Sequence, residues 1–379
     1  MASVYCPKRG RASSSPLLVR GALNPAAALS RDLDVRGRGH FHPFGLTPYP
    51  SVRRLLPNHY LDLADFACRR HWPDRNGMAA GEDEVEQTLT SFARKLRDNV
   101  GAMVEAFPIQ MSLTAGRDSR TLLAAARPYA SGVAFFTTAI PDPAARLDCR
   151  VAGELARRCA LHHRVLPWRE PQTAELESWQ QRVGHCVAGR TWRSVRTLKQ
   201  LDPRRVLLPG TCAEVGRAYY WRRDDLHCEG LDPEEAVSRL GLPRAPALVE
   251  AAEAWLSELP AWRRADILDL LYLEQRLGCW AGPAQYGHAS AARVTPLADR
   301  RPFSLMFDLP RAYRYRQRLP DDLIRILWPD LRRLPFNRKP GLRGAAGEVR
   351  RRASTGLRRI PGGRAARAWL GRAVGRGGD

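Results

Sequence analysis

Lysine is almost missing from this chain of 379 residues: Lys8, Lys95, Lys199 and Lys339 are the only four. Arginine therefore supplies nearly all of the formal charge of +22. The two side chains are not interchangeable in chemistry, so a retained lysine is informative against this background. No apolar stretch reaches the length of a membrane-spanning helix. The first ten residues lack the apolar core of a secretion signal, which makes a cytoplasmic location the expectation. None of the eight cysteines is arranged as CxxC, so buried reduced thiols are expected rather than a zinc ribbon or a disulfide framework. The glycine spacings of the dinucleotide-binding fingerprint and of the Walker A loop are absent too.

What is present describes a globular protein, with 44% hydrophobic and 26% charged residues and length enough for one large domain or two smaller ones. A strongly basic balance raises the question of nucleic acid. The charge is densest over residues 343–379, where ten arginines face only Glu348 and Asp379. That basic tail has glycine breaks and, apart from Trp369, no aromatic interleaving, so base stacking has little support and nucleic acid is disfavoured as a partner. Screened contact with RNA, DNA or an acidic membrane surface is physically available to it, but a solvated tail is the expectation.

The most informative stretch is residues 106–120. An apolar run over 106–113 reads as a buried strand; Thr114, Ala115, Gly116, Arg117, Asp118 and Ser119 form a turn of small and hydroxyl residues; the run 120–127 reads as an amphipathic helix. Strand, turn and helix in that order let backbone N–H groups and a helix N-terminus converge on an anion. Asp118 either caps the helix or holds a metal ion. A second strand is expected over 133–138. After a Pro-rich turn, Asp148 reads as a helix-opening residue, and His162 and His163 lead into a strand over 164–166. The two histidines read as surface or strand-edge residues. A short apolar strand over 206–208 then ends in Pro209-Gly210, followed by Thr211 and, just beyond, Glu214. Two carboxylates at the ends of neighbouring strands suit a hard divalent cation that also bridges phosphate oxygens, although Glu214 reads equally well as an ordinary loop carboxylate.

Thr114-Ala115-Gly116-Arg117-Asp118-Ser119 resembles the Ser-Gly-Gly-x-Asp-Ser pyrophosphatase loop of the asparagine synthetase and β-lactam synthetase family, with Thr114 for Ser and Ala115 for Gly. The second departure bears on how closely a backbone there approaches phosphates, since alanine tolerates positive φ poorly. The stretch 206–220 is similar to the strand and Ser-Gly-Glu-Gly-x-Asp-Glu loop of the same family, with Glu214 at an Asp position and Thr211 where the family has Glu or Tyr near the acceptor substrate. Lys339 resembles a lysine of the late Arg-x-Lys segment. Residues 273–277 and 295–303 resemble the helical substrate region and a Pro-Phe-Leu-Asp-like turn; they equally read as packing and capping residues.

The resemblance implies an adenine-nucleotide α-hydrolase-like fold and an AMP-forming carbon–nitrogen ligase. ATP would lie over Thr114, Ala115, Gly116, Arg117, Asp118, Ser119 and Gly210. Mg²⁺ would be held by Asp118 and Glu214, and Lys339 would stabilise charge as an acyl-adenylate reacts with an amine. The partners implied are a carboxylate and an amine substrate, or ammonia from solution or from a separate glutaminase. Two alternatives stand beside it: a non-catalytic relative that binds a biosynthetic enzyme, and a pyrophosphatase-loop enzyme acting on RNA.

Along the chain, residues 1–42 are Arg-, Gly-, Ser- and Pro-rich and read as disordered or mispredicted sequence. Residues 43–75 resemble the last hairpin of a glutaminase domain whose remainder, including the cysteine expected directly after Met1, is not seen; Ala2 stands there, so no glutamine hydrolysis is expected. Residues 76–342 form the synthetase-like unit. The fold class expected from the pattern is α/β, a parallel sheet with helices on both faces, followed by a helical subdomain over 232–330.

Overall fold

A computed structural model describes residues 3–19, 32–35, 37–73, 84–187, 190–288, 290–334 and 336. Three short strands open the chain, β1 (Val4–Cys6), β2 (Arg11–Ser13) and β3 (Arg53–Arg54), joined antiparallel in the order β2-β1-β3. With the one-turn helix α1 (Pro16–Val19) they enclose a small core of Val4, Cys6, Val19, Tyr49 and Val52. The expectation of disorder over 1–42 is thus corrected for the described part. Strands of three residues are too short to show a period, and β3, which completes the sheet, comes from some forty residues further on. Strands β4 (His59–Leu61) and β5 (Cys68–Arg70) form the antiparallel hairpin expected within 43–75.

Helix α2 (Val85–Ala106) buries Leu89, Phe92, Leu96 and Val100, one face at spacings of three and four. Each such side chain contributes roughly 1.5–3 kcal/mol by leaving water. It leads into the central sheet, formed by β6 (Ile109–Ser112), β7 (Ala134–Ala139), β8 (His163–Pro167) and β9 (Val206–Leu208), all parallel, in the order β8-β7-β6-β9. Helix α3 (Arg117–Ala125) connects β6 to β7, and α4 (Pro143–Arg158) connects β7 to β8. Asp142 opens α4, its carboxylate accepting the Ala145 N–H at 2.8 Å. Asp148 lies in the second turn, so its reading as the helix opener is corrected: Pro143 fits the first helical position and sets the start earlier. Helices α5 (Thr173–Arg182) and α6 (Val195–Leu198) connect β8 to β9.

Alternate strand residues face opposite ways. Ile109, Met111, Phe135 and Leu208 join the large core with Leu122 and Leu123 of α3 and Val151 and Leu155 of α4. Phe136, Leu166 and Leu207 pack with Leu198 and Leu201 in a separate cluster on the other face. Both faces are covered, as an all-parallel sheet requires. Because β9 returns to the far side of β6, the chain reverses its direction of travel between these two strands, and loops after them flank the crevice where open α/β sheets take ligands.

Beyond β9 the described chain is mainly helical, apart from isolated bridges at Glu229–Arg263 and Leu207–Arg293: α7 (Pro233–Arg239), α8 (Pro246–Ser257), α9 (Arg264–Leu271), a ten-residue π-helix (Tyr272–Ala281), α10 (Gly282–Tyr286), α11 (Arg300–Asp308), α12 (Arg311–Tyr315) and α13 (Leu319–Leu327). This region does not form a core of its own. Leu248, Leu268, Met306 and Leu323 belong to the same cluster as Met111 and Leu122. Among the described residues no helix is long and apolar enough to cross a membrane.

Candidate functional site at the ends of β6 and β9

The loop after β6 is held by its own hydroxyls. Thr114 Oγ1 lies 2.7 Å from Ser119 Oγ, which also accepts the Thr114 N–H at 3.2 Å, and Thr114 Oγ1 accepts the Gly116 N–H at 3.1 Å. The Ala115 N–H donates to Asp148 Oδ1 at 2.8 Å. Asp148, read from sequence only as a helix residue, is therefore the anchor that ties α4 to this loop. Burial lifts its carboxyl above the usual range against the effect of that hydrogen bond. Ala115 is fully buried and does not adopt positive φ; alanine at this position is unstrained. Gly116 precedes α3 without a side-chain cap, leaving the first-turn N–H groups of Arg117, Asp118 and Ser119 without intrahelical partners.

Gly210 brings the loop after β9 against that helix start. A Cβ there would stand 3.0 Å from the Asp118 carbonyl group and from the Ser119 nitrogen. The close approach requires glycine. Two further residues of this loop, Cys212 (φ 84°) and Ala218 (φ 48°), are left-handed, a backbone state that costs a non-glycine residue on the order of 1–3 kcal/mol.

These two loops place Asp118 and Glu214 together, their carboxyls within hydrogen-bonding reach when one is protonated. Arg217 lies between them, its Nη2 3.1 Å from Asp118 Oδ2 and 3.6 Å from Glu214 Oε1. One buried oxygen of each acid, Asp118 Oδ1 and Glu214 Oε2, has no hydrogen-bond partner. Burial raises both carboxyls. The Asp118 charge adds to this at Glu214, pushing it up to about 7, while Arg217 opposes the rise at both. Tyr219, Tyr220 and Tyr272 stack alongside, with ring centroids 4.5 to 5.6 Å apart. Tyr272 has its hydroxyl pKa raised by burial and by the Glu214 charge, and Tyr219 is half exposed.

The donor set fits a hard divalent cation in kind, since two orphaned carboxylate oxygens are what such an ion needs from protein. It is a set of two; among the described residues no group of three or more His, Cys, Asp or Glu side chains converges. Arg217 meanwhile supplies positive charge in the same space. Sequence reasoning missed Arg217, whose place three residues after Glu214 in one turn was its only signal, and it missed the tyrosine cluster, assembled from distant segments.

The other sequence-named residues are distributed as follows. Arg117 turns away to Asp321 of α13 at 3.4 Å. Thr211 directly precedes the left-handed Cys212. Lys339 lies outside the described residues. His163 Nε2 meets Thr137 Oγ1 at 2.9 Å. Glu274, within 273–277, is fully buried and bound by Arg70, Asn58 and Trp255, and Asp299, within 295–303, caps α11. The packing and capping reading describes both. No protein-family model matches the chain, and no curated protein matches it.

Proposed function

We propose that this chain is an ATP-dependent, AMP-forming ligase that adenylates a carboxylate and passes the acyl group to an amine or ammonia. The observation that supports it is the meeting of Asp118 and Glu214, both partly buried and each with one buried oxygen that has no hydrogen-bond partner, where the sheet reverses direction. In this reading the triphosphate lies over residues 114–119 and Gly210, against the first-turn N–H groups of α3, where the helix dipole favours anions. Asp118 and Glu214 would hold Mg²⁺, whose charge favours the departure of pyrophosphate. A substrate carboxylate oxygen forms a bond to the α-phosphorus as the bond to pyrophosphate breaks. The amine nitrogen then bonds to the acyl carbon, AMP leaves with the oxygen, and the amine proton is released. Lys339 is the proposed stabiliser of that second step. Ser119 and Thr114 keep the loop in shape rather than free for phosphate, and Arg217 must move aside or pair with a phosphate oxygen when the cation binds.

The same Arg217 favours a second reading, a non-catalytic relative in which a guanidinium has replaced the ion. The loop supports that reading too, because the Thr114, Ala115 and Gly116 N–H groups already have internal acceptors. Exchange of labelled pyrophosphate into ATP separates the two. The ligase predicts carboxylate-dependent exchange that Asp118→Asn abolishes; no exchange across a broad panel of acids leaves the non-catalytic reading standing.

A further inference from the structure

On the other flank of β9, residues 292–294 run alongside it as one more parallel rung: Leu207 donates its N–H to the Ala292 carbonyl at 2.8 Å and accepts from the Val294 N–H at 3.1 Å. Arg293 is the bridge partner of Leu207. Its Nε and Nη2 are buried without any partner, and so are Ser290 Oγ and His288 Nδ1 in the same short segment. His288 is 4% exposed. Three neighbouring side chains thus present four unsatisfied buried polar atoms, where nearly every such atom in a folded protein is bonded.

The chemistry of the set is specific. Nε and Nη2 form one edge of the guanidinium plane, two parallel N–H groups at the spacing of carboxylate oxygens. A serine hydroxyl donates, and neutral imidazole donates from Nδ1 in one tautomer. Among the described residues no carboxylate pairs with Arg293; burial lowers its pKa to about 10, opposed only by Tyr286. His288 is held neutral, its pKa pushed down to about 3 by burial, Arg293 and Arg182. A guanidinium edge buried without a counter-charge is matched by a negative charge from outside.

We propose that Arg293, Ser290 and His288 form a binding site for the carboxylate of a small organic acid, taken edge-on by the Arg293 fork. Cys212, two residues before Glu214, lies within electrostatic range of Tyr286, and Tyr286 within range of Arg293. The site lies on the outer flank of β9, the strand whose following loop carries Glu214. It does not depend on nucleotide chemistry at Asp118 and Glu214, and binding alone tests it.

Thermal unfolding of the full chain in sodium acetate and sodium succinate, against sodium chloride of equal ionic strength, reads it directly. Wild type is expected to gain Tm in the carboxylates, and Arg293→Met to lose that gain. In chloride, Arg293→Met is expected to melt at the same temperature as wild type or higher, because an unpaired buried charge has been removed. Calorimetric titration with succinate should show binding weakened on the order of tenfold in Ser290→Ala, a loss of one charge-assisted hydrogen bond. Equal carboxylate gains in wild type and Arg293→Met would overturn the proposal. So would a lower Tm of the variant in chloride with no carboxylate response in either protein, which would make Arg293 structural. Protection by sodium phosphate and not by the carboxylates would overturn the ligand class.

Discussion

Gly210 and Ala115 are opposite cases of small residues beside the acid pair. At Gly210 the neighbouring atoms are backbone and cannot rotate away, so Gly210→Ala should push the β9 loop off the start of α3. Destabilisation of about 1–3 kcal/mol is expected from such overpacking, read as a lower urea midpoint at unchanged m-value. Ala115→Gly should do the reverse of what a phosphate-loop pattern suggests. With φ already negative and the methyl group buried, glycine adds only chain freedom, and stability should fall by roughly 0.5–1 kcal/mol. A gain in stability or in nucleotide affinity would show that the loop favours the glycine conformation.

Arg217 carries the local electrostatics. Removing it in Arg217→Met leaves two partly buried carboxyls facing one another without the guanidinium between them, a loss below the roughly 3–5 kcal/mol of a fully buried pair. Low millimolar Mg²⁺ should restore much of the Tm if the acids can hold the ion; no response to Mg²⁺ would count against a cation site. The pH dependence has a definite sign. A carboxyl whose folded-state pKa is raised keeps its proton where the unfolded chain has already ionised, so its contribution fades as pH rises from the ordinary carboxylate range towards about 7 at Glu214. Glu214→Gln should remove that decline, measured by urea unfolding between pH 5 and pH 8.

Among the elements, the sheet strands were the most legible. Residues 206–208 are wholly apolar, and 109–112 and 134–139 carry apolar residues on both faces, with Gln110, Ser112, Thr137 and Thr138 among them, because both sheet faces are covered there; the edge strand 163–167 buries only Leu166. Helix starts were less so. α3 begins at Arg117 rather than Arg120, with Gly116 in extended conformation as its N-cap, and α4 begins at Pro143 rather than near Asp148. The short strands β1 and β2 were illegible because their partners are remote. The acid pair was legible as two strand-end carboxylates; Arg217, the tyrosine cluster and the clamp at Glu274 were not, since each exists only through contacts across the folded chain. That clamp joins the hairpin to the π-helix. Arg70 Nη1 and Nη2 reach the Glu274 carboxylate at 2.5 and 3.0 Å, and Trp255 Nε1 donates at 2.7 Å. Glu274→Ala should cost about 3 kcal/mol, the lower end for a broken buried pair, by leaving Arg70 with only the half-exposed Glu258 at 3.5 Å as counter-charge, seen as a fall in Tm together with faster proteolysis within the β4–β5 hairpin.

For the molecule as a whole, buried neutral histidines set the acid limit. His42, bonded through Nδ1 to the Cys186 carbonyl, has its pKa lowered from 6.5 to about 4 by burial, and His288 is lowered to about 3. Below 6.5 the unfolded chain takes up protons that the native state refuses, so this stability is present above pH 6.5 and is lost as pH falls towards 4. His42→Asn should flatten the decline between pH 6.5 and pH 4.5 in urea titrations, and an unchanged slope would show that His42 is already charged in the fold.

The central claim concerns a metal-nucleotide at the reversal of the sheet, and isothermal titration of the full chain with ATP, with and without Mg²⁺, tests it most directly. Binding that requires Mg²⁺ and weakens on the order of tenfold or more in Glu214→Gln, with the loss of one ligand charge, is the predicted result. No binding by wild type, or Mg²⁺-independent binding untouched by Glu214→Gln, would contradict it.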